Sequence, residues 1–267
     1  MGTGVEWAGF GQVSVGALLL LCAAAFLAGA VDAVVGGGGL IQLPALLLVA
    51  PGGLPIYSLA TSKVASFFGT ASAVPAYARR TEIEWRSAVP MAVMALLGSL
   101  AGAAFASVLP ATVLNIIVWV ALVGVGIYTW RKPDFGVRDL WRHSVRRRTA
   151  IMCAVGGLIG FWDGLAGPGT GSFLVFALVG LVGYAFLRAS ATAKVVNSAT
   201  NIGALLLFAL SGKVLWGLGL VMAVCNVTGS LLGARIAVSR GSAFIRRVFL
   251  TVVVTLLITL GWKIALS

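Results

Sequence analysis

Nine of the 26 charged residues in this 267-residue chain fall between Arg131 and Arg148, which leaves 17 for the other 249 positions. Long apolar runs without charge remain on both sides, and runs of that kind are the primary mark of transmembrane helices. Charged residues make up 10% of the chain, against roughly 25% in soluble domains, whose surfaces must be solvated. A soluble globular fold is therefore excluded. The net charge of +12 points in a soluble protein to nucleic acid, but in a membrane protein an excess of Lys and Arg records topology, so no nucleic-acid partner is expected. Cys22, Cys153 and Cys225 each sit inside apolar runs and read as packing residues. They lack disulfide or metal-ligand spacing, and no cofactor or metal is expected.

Sliding the sequence against itself gives matches at a constant offset of 131, which pairs Cys22 with Cys153, Asp32 with Asp163, Gly36 with Gly167, Gly38 with Gly169, Thr61 with Thr192, Lys63 with Lys194, Trp85 with Trp216 and Met91 with Met222. Residue types this rare do not coincide by chance, so the chain is a duplication. It divides into a first repeat (1–132), a basic linker (133–148) and a second repeat (149–267). Apolar segments lie near 12–34, 40–56, 57–78, 87–108 and 110–130, with counterparts at 149–165, 172–187, 188–210, 214–236 and 244–266. The second segment of each half is short for a bilayer core of about 30 Å. It either spans with extended flanks or is re-entrant.

Charge placement decides between these. With five spans per half, one side of the membrane receives 15 loop cations, among them Arg79, Arg80, Arg188, Arg240 and those of the linker, and the other receives only Lys213 and Lys263. Re-entrant second segments divide the same cations 12 to 5. The cleaner segregation predicts an all-α polytopic membrane protein of two inverted five-helix repeats, about ten transmembrane segments, with the linker in the cytoplasm and both termini outside. Glu6, with no basic cluster before the first apolar run, argues that this run is a retained span.

Four ionisable residues fall inside apolar segments: Asp32, Asp163, Lys63 and Lys194. A charge in the hydrocarbon region costs about 2.5 to 3.5 kcal/mol on insertion scales, so such residues face protein or an aqueous cavity and mark a substrate or ion route. The competing reading is structural, with Asp and Lys neutralising each other as ion pairs or the lysines snorkelling to an interface. Each Asp precedes a glycine-rich stretch, DAVVGGGGLIQLP from Asp32 and DGLAGPGTGSFLV from Asp163. Glycine costs about 1 kcal/mol and proline about 3 in a helix interior, so both helices should break there. The helices that restart near Leu40 and Ser172 would turn amide donors, including those of Gly37, Gly38, Gly39, Gly169, Thr170, Gly171 and Ser172, towards an anion. A tight turn for close helix packing is the plainer alternative.

The third segments add polar stripes. Lys194, Asn197, Ser198 and Asn201 share one helical face, as do Lys63, Ser66 and Thr70. Amides and hydroxyls beside an ammonium suit a small oxyanion, and they equally suit hydrogen bonds between helices. The motifs GSLAG at Gly98 and GSLLG at Gly229 read as close-packing seams, within the chain or across a homodimer. Trp85 and Trp216 read as interfacial anchors.

Together the glycine-rich break followed by Pro44, its second copy GLAGPGTGSFLV, the Ala-Thr-x-Lys elements at Ala60–Lys63 and Ala191–Lys194, and the GARIA stretch from Gly233 resemble the sulfite exporter TauE/SafE family over nearly the whole chain. The resemblance implies a secondary transporter of the bacterial inner membrane that carries small sulfur-containing anions such as sulfite or organosulfonates. In that reading Lys63 and Lys194, with Thr61, Thr192, Ser66, Asn197, Asn201 and the glycine breaks, bind the anion, while Asp32 and Asp163 couple or gate. The partners expected are the anionic substrate and the lipid bilayer. The alternative is a cation transporter or channel built on Asp32 and Asp163. An enzyme is not expected, because no membrane-embedded His or HExxH is present.

Overall fold

The structure, a computed structural model, describes residues 5–7, 11–49, 55–110, 113 and 144–265. The first repeat's fifth segment and most of the linker, with His143, lie outside the described residues. A two-stranded antiparallel ribbon, β1 (Val5–Trp7) and β2 (Gly11–Val13), is the one departure from helix-and-turn structure among them. The first repeat supplies α1 (Val15–Val35), α2 (Gly39–Val49), α3 (Pro55–Ala78) and α4 (Trp85–Val108). The second supplies α5 (Val145–Leu165), α6 (Thr170–Ala177) with a π-helical turn (Leu178–Val182), α7 (Phe186–Leu210) and α8 (Trp216–Ala265), whose backbone is non-helical at Gly241. Helix α5 starts four residues inside the expected linker.

Helices α1, α4, α7 and α8 as far as Gly241 are long and apolar enough to cross a membrane. Helices α3 and α5 have comparable length, 24 and 21 residues. Polar residues dilute them, the stripe around Lys63 in α3 and Arg146–Arg148 in α5. Of the second segments, α2 is described over 11 residues, the rest of its expected run lying outside the described residues, and α6 is shorter than expected, with 8 before the π turn. Either one extends less than about 20 Å at 1.5 Å per residue, so neither crosses a core of about 30 Å as helix alone.

Packing exchanges the repeats: α4 lies on α5 and α1 on α8, so the fourth helix of each half covers the first helix of the other. Helices α3 and α7 pack on each other between these pairs. Glycine sets the closest approach. A Cβ added at Gly102 would lie 1.9 Å from the Phe161 carbonyl oxygen, and one at Gly229 2.0 Å from that of Phe26. Both small-residue motifs are thus spent inside the chain. Two apolar clusters close the ends of the bundle, one around Val35, Tyr77, Met91, Met152 and Tyr184, the other around Leu59, Ala106, Leu165, Phe208 and Val214. The polar residues of α3 and α7 lie between them.

Candidate functional site

Both helices break where the glycines predicted. Helix α1 ends at Gly36, with φ of 81°, and α5 gives way to Gly167 and Gly169, at 87° and 80°, a left-handed backbone that glycine adopts without strain. The two breaks meet. The Ser172 amide donates to Gly36 O at 3.0 Å, the Ser172 hydroxyl donates to Val35 O at 3.1 Å, and a Cβ on Gly36 would lie 2.3 Å from the Gly171 carbonyl carbon. Only glycine permits this backbone-to-backbone contact.

The four ionisable residues of the apolar segments form two pairs, each joining one repeat to the other. Lys63 Nζ is 2.8 Å from Asp163 Oδ2 and donates to Asp163 O at 2.7 Å. Lys194 Nζ is 3.0 Å from Asp32 Oδ2 and also donates to Asp32 O. The ion-pair reading of these residues is therefore realised, and the snorkelling reading is not, because Lys63 and Lys194 are only 3% and 1% exposed. Each carboxylate has a hydroxyl donor, Thr170 Oγ1 to Asp163 at 2.7 Å and Thr70 Oγ1 to Asp32 at 3.2 Å. Gly38 N adds a 3.4 Å bond to Asp32 Oδ1.

Between the pairs is a cavity of about 30 Å³, room for two or three water molecules at roughly 10 to 15 Å³ each. Lys63, Asp32, Asp163, Ser66, Asn197 and Asn201 line it together with Gly39, Gly169, Thr170 and Gly171. Other residues expected at the site lie elsewhere. Lys194 is shielded from the cavity and is absent from its lining, as are Gly37 and Gly38. Thr61 Oγ1 accepts from Leu215 N at 3.2 Å, Thr192 is buried, and Ser172 is committed to the contact between the breaks. The sequence reading also missed a buried amide bridge. Asn226 Nδ2 donates to Gln42 Oε1 at 2.8 Å, and Gln42 Nε2 donates to Ser62 O at 3.0 Å, which ties α2 to α8 and α3. Gln42 is the one amide side chain in α2, a signal that a scan for charge passes over.

Duplicated helices, apolar outside and carrying compensated charges around broken backbone inside, define the class as a membrane transport protein. The family model described as "Sulfite exporter TauE/SafE" matches residues 21–260, and the chain belongs to the TauE/SafE family. It is 37% identical over 243 residues, 91% of this chain and 92% of the relative, to "Probable membrane transporter protein ORF9" of Sinorhizobium sp. It is 38% identical to "Probable membrane transporter protein YfcA" of Escherichia coli K12, with 83% of this chain and 81% of the relative aligned. A "Probable membrane transporter protein" of Haemophilus influenzae is 32% identical over 88% of this chain and 91% of its own length. No solved structure matches.

Proposed function

We propose that this chain is a secondary transporter of small sulfur-containing oxyanions such as sulfite, working by alternating access and coupled to protons. The observation that carries the reading is the pair of exchanged Lys–Asp contacts on a buried polar cavity where two glycine breaks meet. Charge balance supplies the mechanism. The two ammonium groups and two carboxylates of the site balance to neutrality. A monoanion entering it leaves one uncompensated negative charge, and a buried net charge is expensive. One proton on a carboxylate restores neutrality and frees the partner ammonium to donate to the anion, so each negative charge carried takes one proton with it. A cation is served less well, because both carboxylates are already bound to ammonium groups. The size of the cavity favours the compact end of the substrate class.

Helix directions support an inverted repeat. Met91, Ala95 and Ser99 of α4 meet Gly156, Gly160 and Gly164 of α5 with numbers rising together, and Phe26 and Ala30 of α1 meet Gly229 and Gly233 of α8 likewise. Each pair therefore runs parallel. The turn of six residues between α3 and α4 reverses the chain, and α3 runs with α8, Val64 against Gly219 and Gly69 against Asn226. Equivalent helices of the two halves then point in opposite directions, the arrangement that lets one fold present two alternating faces. Ten spans, with α2 and α6 crossing by means of extended flanks, an inner-membrane location and periplasmic termini complete the proposal.

The test is flux of sulfite in proteoliposomes under a pH gradient. Uptake should rise when the sulfite side is made more acid, and Lys63→Ala and Lys194→Ala should each lower it at least tenfold. Unchanged flux in both variants overturns the assignment, and flux of inorganic cations in place of oxyanions establishes the rival.

A further inference from the structure

The two half-sites are equivalent in sequence but not in access. The cavity between the pairs is lined by Lys63 and not by Lys194, so an anion held in it meets one ammonium.

The Lys194 half-site is the more heavily bonded, and it is screened. Asp32 holds Lys194 through its carbonyl and its carboxylate, and that carboxylate also accepts from Thr70 and Gly38. The cavity meets Asp32 and not Lys194. At the Lys63 half-site the ammonium donates one hydrogen bond, to Asp163 O, and forms an ion pair with Asp163 Oδ2, so it retains hydrogens for a ligand. A Cβ at Gly167 would lie 3.2 Å from Lys63 Nζ, so the missing side chain keeps that approach clear. Amides collect at this level as well. The position equivalent to Thr70 is Asn201, and the one equivalent to Ser66 is Asn197. Asn201 gives one amide hydrogen to Asn197 O, while the Asn197 side-chain oxygen is taken by Thr200, which leaves amide hydrogens of both for a ligand.

Building on the proposed oxyanion transport, we infer that the chain has one anion-binding half-site, formed by Lys63 with Asn197 and Asn201, and that Lys194 is a positioning residue that holds Asp32. The experiment measures sulfite binding to the full-length protein in detergent by calorimetry, beside flux in proteoliposomes. Single lysine variants leave a carboxylate unpaired and risk misfolding, so each is accompanied by a neutral pair, Lys63→Gln with Asp163→Asn and Lys194→Gln with Asp32→Asn. The first pair should weaken binding at least tenfold. The second should keep the dissociation constant within threefold of wild type while flux falls. Asn201→Thr, which copies the other half, should weaken binding about fivefold at unchanged thermal stability. Equal loss of binding in both neutral pairs, or loss in the Lys194 pair alone, overturns the inference and leaves anion transport standing. Wild-type protein that binds neither sulfite, sulfonate nor sulfate overturns both.

Discussion

The turn between α3 and α4 and the turn between α7 and α8 occupy equivalent places, yet they fasten the bundle with different chemistry. Both bury one aliphatic residue, Ile83 at 8% exposure and Val214 at 9%, and both are followed by a tryptophan, Trp85 or Trp216. Both also reach the first turn of the other repeat's third helix. In the first turn Glu82 meets Arg188 at 3.5 Å; in the second, at the equivalent positions, Lys213 lies 5.4 Å from the centre of the Tyr57 ring. The geometry of the handshake is retained and its charges are rewritten. One residue further on the ends diverge. Glu84 accepts from Arg148 on α5 and from the Tyr184 hydroxyl at 2.7 Å, and so pins α4, α5 and the start of α7 together. The equivalents of Glu84 and Arg148 are Leu215 and Ala17. A duplicated backbone thus has one end locked by buried ionic contacts and the other closed mainly by apolar packing.

The sharpest way to break this comparison is Arg148→Ala. Removing one partner of a buried pair strands the other, and with Glu84 still 21% exposed the loss should fall near the low end of the usual range, about 3 kcal/mol. It is read as a drop in the thermal midpoint in detergent. Arg148→Met with Glu84→Leu, which gives this end the apolar character of the other, should recover most of it. If the double change is as damaging as the single one, the two ends are not interchangeable designs.

Acid should probe the same contact more gently. Burial works against the charged form of Glu84, but hydrogen bonds from Tyr184 and Arg148 and the Arg148 charge outweigh it and hold the carboxyl below its ordinary range. A carboxyl depressed on folding stabilises the protein above its unfolded value, about 4.3, and that stability is lost as pH falls through the folded value. The thermal midpoint should therefore fall as the pH drops from about 5 to below 4, and Glu84→Gln should remove part of that fall. The same burial, with the bond to Glu84, pushes the Tyr184 hydroxyl up, so it remains a donor throughout.

Much of this organisation is legible in the residues. Apolar runs locate the long helices to within a few positions, because a helix in lipid must be continuous and predominantly apolar. The duplicated Asp, glycine and Lys set locates the two breaks and the charges beside them. Partner choice is not legible: Lys63 finds Asp163 and Lys194 finds Asp32 across repeats, a consequence of α3 and α7 packing at the centre, which no spacing records. Nor does the sequence show that Thr61 is spent on the Leu215 amide, or that Gln42 pairs with Asn226. Those bonds depend on distant helices being brought level. The short reach of α6 is not legible for a simpler reason, since the apolar run continues past Val182, where the helix stops.

The smallest expected effects test whether the handshake itself matters. Glu82 is 93% exposed, and an ion pair in contact with water adds little because solvent screens it and the side chains lose freedom. A lysine over a tyrosine ring at an exposed site contributes on the order of 0.5 to 1 kcal/mol. Arg188→Ala and Lys213→Ala should therefore each lower the thermal midpoint by no more than about 2 to 4 °C. Salt separates them from the buried contact. At 1 M the screening length is about 3 Å, so the Arg188–Glu82 contribution should vanish while the destabilisation caused by Arg148→Ala persists. If salt erases both, Arg148 and Glu84 are as open to solvent as Glu82, and the contrast between the two ends reduces to a difference in surface charge.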